Sequence, residues 1–246
     1  MRHTVAMRNT ATAFDRTKRW VDGAVAALGL VAASPVLAVI AVLIKLTSRG
    51  PVLYRARRAG LHGVPFEVLK LRTMTDGADR HGTITVGGDA RVTPLGRLLR
   101  LTKLDEVPQL WNVLRGEMAL VGPRPESLNI VEEHYTAAHR QALSVRPGLT
   151  CSGSLYYYVY QEHLRPPAGV GPETFYVREL LDAKIAADLH YVEHRSMAYD
   201  LRLIVETVWV MLCKILGVAP RWQPPIPVAS LRLPAQESPA SDTSRS

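Results

Sequence analysis

The feature that most constrains this chain is the stretch from Ala24 to Ile44, almost wholly apolar and interrupted only by Gly29 and by Ser34 and Pro35 at its middle. About 20 such residues suffice to cross the hydrocarbon core of a bilayer, so a membrane element is expected. Three arrangements compete: a spanning helix, a cleaved signal peptide, and a broken helix that enters and leaves by one face. Arg16, Lys18 and Arg19 precede the run, while Lys45, Arg49, Arg55, Arg57 and Arg58 follow it. Cytoplasmic flanks of membrane segments are the ones enriched in Lys and Arg, which puts both ends on the same side. Pro35 removes a backbone donor and crowds the preceding turn, and Ser34 can satisfy freed backbone groups from its side chain. Each arm of about ten residues would reach only ~15 Å, half of the core. A signal peptide fits least, because the run continues past any cleavage region.

The remaining totals are permissive. A chain of 246 residues has room for one domain with a tail. A net charge of +8 favours anionic partners, whether nucleic acid, a membrane surface or phosphorylated substrates, and composition does not choose among them. Cys151 and Cys213 lie far apart without metal-ligand spacing, so neither a disulfide framework nor a zinc site is expected.

Beyond Gly50 and Pro51, VLYRARRAG and PFEVLKLRTM read as two short strands around a turn at Leu61 to Val64. Alternation puts Phe66, Val68, Lys70 and Arg72 on one strand face, and alternation alone reads the two cations as solvated. Thr93 to Leu101 reads as a short helix capped by Thr93, with Pro94 at its first position. A helix is expected from about Ser127 to Ser144, an amphipathic one from Pro172 to His194, and a last one from Ser196 to about Leu216 whose apolar stripe suits an interface.

Chemistry concentrates in Leu101 to Glu126, LTKLDEVPQLWNVLRGEMALVGPRPE. Pro108 belongs in a first helical turn, so a helix should start near Leu104 or Asp105 and place Asp105 and Glu106 at its positive end. Simple capping explains such acids equally well. Arg97, Arg100, Lys103, Arg115 and Arg124, however, supply more cation than a helix start requires, and they suit phosphate. Arg100 runs directly into the acids, and Arg124 is held between two prolines on a stiff loop. Neighbouring helical residues point about 100° apart, so the two acids are expected to do different jobs.

LDEVPQLWNVLRGEMALVGPRPE resembles the signature of the bacterial sugar transferases, monotopic phosphoglycosyl transferases that act on a polyprenyl phosphate carrier. The resemblance extends to KRWVDGAVAALGLVAASPVLAVIAVLIKLTSRGPVLYRARRAG, PFEVLKLRTM, DARVTPLGRLLR and VRPGLT, roughly residues 18 to 150. It implies an α+β fold, mainly helical with a short β-hairpin, in a monotopic membrane protein with a re-entrant helix broken at Ser34 and Pro35. It also implies transfer of a sugar 1-phosphate from a nucleoside diphosphate sugar, of the UDP-sugar kind, to polyprenyl (undecaprenyl) phosphate. Mg²⁺ and an aspartyl-phosphosugar intermediate belong to that scheme, as the initiating step of exopolysaccharide, O-antigen or related glycan assembly. On this reading Asp105 is the nucleophile and Glu106 handles metal or proton, both as metal ligands, while Lys70, Arg100, Arg124 and Arg146 neutralise phosphate. The expected division is a disordered 1–15, a membrane hairpin 16–50, a cytoplasmic catalytic domain 51–217 at the bacterial inner membrane, and a disordered tail 218–246. Nucleic acid is not among the expected partners. Two departures stand out: Lys103 replaces a small hydroxyl residue, and CSGSLYYYVYQEH replaces the family's usual continuation after VRPGLT. A basic, membrane-anchored binding or scaffold protein without catalysis is the alternative.

Overall fold

The computed structural model describes residues 12–75, 77–78, 89–161 and 164–225. The terminal segments expected to be disordered lie largely outside these residues, as does most of the loop after Thr75. Helix α1 runs from Ala13 to Thr47, opened by a capping box in which Thr12 and Asp15 satisfy each other's backbone and side chain. At Ser34 and Pro35, where two separate arms were expected, the chain stays helical. Pro35 leaves the Val31 carbonyl without its normal donor, and the Ser34 hydroxyl donates to that same oxygen at 2.8 Å.

The expected strand pair is present as β1, Leu53–Ala59, and β2, Pro65–Leu71, antiparallel with Tyr54 opposite Lys70. The turn between them is a 3₁₀ turn over Leu61–Gly63. Helix α2, Pro94–Thr102, carries the expected Thr93 cap, which accepts from the Gly96 amide. It lies close on the chain leaving β2, and a side-chain carbon at Gly96 would collide with the Thr73 carbonyl.

The next segment corrects the expectation for the acids. Lys103 turns left-handed at φ 57°, Leu104–Glu106 form a 3₁₀ turn, and helix α3 proper is only Gln109–Arg115. Pro108 cannot donate to Leu104, so the turns leading into α3 close instead by shorter bonds, Val107 to Leu104 and Trp111 to Pro108. The acids therefore precede a seven-residue helix rather than open a long one.

Strand β3, Ala119–Val121, pairs in parallel with β4, Gly148–Thr150. Between them the single helix expected over 127–144 is split into α4, Leu128–His134, and a 3₁₀ segment, His139–Ser144. The Arg140 guanidinium donates to the Val131 carbonyl, which a continuing helix would have given to Tyr135. His139 is buried against Tyr135. The divergent segment forms α5, Ser152–Tyr156, followed by a π-helical turn over Tyr157–Gln161. Pro172 to His194 is helical as expected, divided into α6, Pro172–Phe175, a π-helical turn at Tyr176–Leu180, and α7, Leu181–His194. Helix α8, Met197–Ile215, starts at a Ser196 cap.

Four buried clusters join these elements. Ala26 of α1 packs with Ala56, Val68, Val113 and Met118, whereas Ile40 and Ile44 of the same helix pack with Leu71 and Leu99. The opposite face of α1 stays open and apolar, with Val31, Val39 and Leu46 exposed. The stripe expected on α8 is also outward, with Leu201, Val205, Trp209 and Leu212 exposed. Its acids turn inward: Asp200 accepts from Lys18 and Tyr191, and Glu206 from the Trp222 indole. Of the four tyrosines in the divergent segment, Tyr156 is core and Tyr160 packs on Trp222.

Candidate active site

A cavity of about 470 Å³ opens between β2, α2, the 3₁₀ turn of the acids, the Pro-Arg-Pro loop and the π-helical turns. Asp105 lines it while only 6% exposed, and its Oδ1 has no hydrogen-bond partner. Burial and the neighbouring charge of Glu106 push its carboxyl above the usual range, with Lys70, Lys103 and Arg100 pulling the other way. The cations therefore favour its ionised form against burial and the neighbouring acid.

Glu106 is the opposite case. Its Oε1 accepts from Arg124 at 2.6 Å and from Lys70 at 3.3 Å, and its Oε2 accepts from Arg124 at 3.2 Å. Burial opposes its charge, but Arg124, Lys70 and Lys103 outweigh that and hold the carboxyl well below the usual range. Burial likewise lowers the Lys70 ammonium, while Glu106 holds the Arg124 guanidinium firmly charged against its own burial. The two acids thus sit in different environments: one is fixed by a two-pronged ion pair, the other is left with an unused oxygen.

The strand alternation of β2 delivers Lys70 and Arg72 to this cavity together, so the solvated reading fails for both. Arg72 anchors to Ser48 at the end of α1 through Nη2 while Nε and Nη1 remain unpartnered. Arg100 lies against the cavity with Nε on the Thr73 hydroxyl at 2.9 Å, whereas Arg97 is exposed. Arg124 arrives as expected from its proline-flanked loop. Arg146 does not come. Its Nε donates to the Gly116 carbonyl at 2.9 Å, and its side chain lines a separate cavity of about 310 Å³ with Arg19 and Arg195. The left-handed C-cap at Gly116 leaves that carbonyl needing a donor, and Arg146 supplies it.

Several lining residues escaped the sequence reading. Glu126, Tyr176 and Lys184 form a buried triad on one wall, with Lys184 Nζ 2.9 Å from Glu126 Oε2 and 2.7 Å from the Tyr176 hydroxyl. Gln109 Nε2 and the Ser154 hydroxyl are buried lining atoms without partners. Glu126 closes the VGPRPE motif and was within reach of sequence reasoning. Lys184 sits mid-helix, 58 residues away, with no local signal.

Asp105, buried with a free oxygen, thus shares its cavity with Lys70, Arg100, Lys103 and Arg124, a set of cations suited to phosphate oxygens. The chain belongs to the bacterial sugar transferase family, a family of phosphoglycosyl transferases, which matches it over residues 13–214. It is 42% identical over 202 residues to the UDP-glucose:undecaprenyl-phosphate glucose-1-phosphate transferase of Caulobacter vibrioides, covering 80% of this chain and 70% of that protein. It is 37% identical over 195 residues to the Klebsiella pneumoniae protein of the same name, covering 78% of this chain but 39% of the relative. The exopolysaccharide production protein ExoY of Sinorhizobium fredii is 33% identical over 211 residues, with 78% and 84% covered.

Proposed function

We propose that this chain moves a sugar 1-phosphate from a UDP-sugar to polyprenyl phosphate through a covalent intermediate on Asp105, as an initiating step of exopolysaccharide or related glycan assembly. The observation that carries the reading is the buried, unpartnered Asp105 Oδ1 facing a cation-lined cavity; the names of the relatives supply the donor and acceptor classes. Asp105 attacks the phosphorus that bears the sugar. A P–O bond to the nucleotide breaks, and its electron pair leaves with the nucleoside monophosphate. An oxygen of the acceptor phosphate then attacks the same phosphorus, the bond to Asp105 breaks, and the carboxylate is restored as the lipid diphosphate sugar forms.

Lys70, Arg100, Lys103 and Arg124 stabilise charge on the equatorial and leaving oxygens during both steps. Glu106 holds Lys70 and Arg124 in place. Mg²⁺ fits this site through Asp105 alone, since one carboxylate plus substrate phosphates and water is its usual company. Glu106 has both oxygens engaged by cations and does not fit as a second ligand. When bound, the ion would offset phosphate charge.

Membrane attachment is part of this reading and is supported by α1, apolar and long enough to cross a bilayer by length and composition. Ala26 and Ile44 of this helix are both buried against the same body. A helix seated at both places does not carry its far end across a bilayer, which supports attachment from one face of the membrane; the proposed face is the cytoplasmic one of the inner membrane.

Peptide mapping of enzyme quenched during turnover is expected to find a sugar-phosphate adduct on Asp105; its absence, with turnover intact, defeats the covalent route. For the anchor, Arg16→Cys and Arg49→Cys should both be labelled from the cytoplasmic side. Both native cysteines are buried, which keeps background low, and labelling from opposite sides would establish a full span.

A further inference from the structure

The two places where the sequence departs from the family pattern meet in space. Lys103 Nζ lies 4.0 Å from the ring centroid of Tyr158, a residue of the divergent segment. Lys214, in the last turn of α8, lies 5.4 Å from the same centroid. Tyr158 and Lys103 both line the Asp105 cavity, and Lys214 approaches that ring from the helix outside it.

What leads up to this pair of lysines is apolar and open. Helix α8 packs against α2. Leu212 and Ile215, in the end of α8 that carries Lys214, are 48% and 45% exposed, and Leu98 and Leu101 on α2 are 56% and 48% exposed. Exposed apolar side chains on two packed helices, with two ammonium groups on one tyrosine ring at the Asp105 cavity, suit an amphiphile with a phosphate head. A soluble nucleotide sugar would gain nothing from the leucines.

We propose that Lys103, Tyr158 and Lys214 form the port for the acceptor: the isoprenoid chain lies along Leu98, Leu101, Leu212 and Ile215, and its phosphate is gripped by the two lysines beside Asp105. This rests on the transfer reading above and adds to it a binding site for the acceptor distinct from the Glu106-bound cations. Burial and the charge of Lys103 push the Lys214 ammonium down to about 8, and a phosphate beside it would favour its charged form. Tyr158 holds the two cations near each other through its ring face.

The test is direct binding of farnesyl phosphate to the full chain in neutral detergent, with no donor present, so that the outcome does not depend on turnover. Lys214→Gln and Lys103→Gln should each weaken binding by about tenfold, the loss expected for a charge-assisted contact. Lys214→Arg should bind within about twofold of the unaltered chain, and Asp105→Asn should retain binding. Unchanged affinity in both Gln variants overturns the port. So does displacement of farnesyl phosphate by phosphatidylglycerol at equal concentration, which would make it a headgroup contact. Failure of the transfer reading shows up separately, as absent turnover with farnesyl phosphate binding intact.

Discussion

Two cation-lined cavities can be compared among the described residues, and only one looks like a place where chemistry happens. In the smaller, Lys18 is paired with Asp22 and Asp200, Arg195 with Asp15, and Arg19 and Arg146 donate to the Leu114 and Gly116 carbonyls. Among the described residues, none of its lining side chains has a buried polar atom without a partner. In the larger, Asp105, Gln109, Ser154 and Arg72 all present such atoms. Positive charge therefore does not distinguish the two. Unused hydrogen-bonding capacity does, because leaving a buried polar atom unpaired costs about 1–3 kcal/mol, a cost a bound substrate can relieve.

This contrast is most sharply tested at Asp105. Asp105→Asn should lower turnover by at least about 10³-fold, as loss of a covalent nucleophile does. Its melting temperature should hold or rise, because the variant removes both a buried charge and its repulsion with Glu106. A variant that keeps turnover would erase the distinction between the cavities.

Next in size is Glu106→Gln, which strands Lys70 and Arg124 and should cost about 3 kcal/mol of stability, read by chemical unfolding. Because the Glu106 carboxyl is held below its ordinary value of 4.5, its contribution is fully present above that pH and lost as pH falls through the folded value. Glu106→Gln should therefore flatten the acid limb of the melting profile. Asp105, shifted up from 3.8, has the opposite sign. Stability from its protonated form is lost as pH rises through that shifted value, while activity, which needs the ionised form, should appear over the same interval. An activity limb at or below 3.8 would contradict the shift.

Smallest is Arg146→Ala. If Arg146 serves the turn at Gly116 and not a phosphate, turnover should stay within about twofold while stability falls by about 1 kcal/mol, a shift of roughly 2–4 °C. A rise of more than about tenfold in the KM for the donor would restore Arg146 to the substrate site.

Much of this architecture was readable from local pattern. The hairpin followed from alternation, the starts of α2 and α8 from Thr93 and Ser196, and the stiff placement of Arg124 from its flanking prolines. The resemblance carried Lys70 into the site although its strand pattern alone spoke for solvent. What failed was whatever depends on how a helix ends. The 127–144 helix broke because Arg140 reached back to Val131, and Arg146 left the predicted site because Gly116 offered an uncapped carbonyl.

The residue order by itself determined which side chains are available for phosphate chemistry, since a carboxylate pair, a proline-gripped arginine and an apolar anchor are properties of composition and spacing. Tertiary structure alone decided which acid keeps an open oxygen. Asp105 and Glu106 are chain neighbours with nearly the same chemistry, and they differ because Lys70 and Arg124, brought from 36 and 18 residues away, occupy one of them and leave an oxygen of the other free. Hydrogen bonds saturate, and which group they saturate is fixed only when distant segments meet.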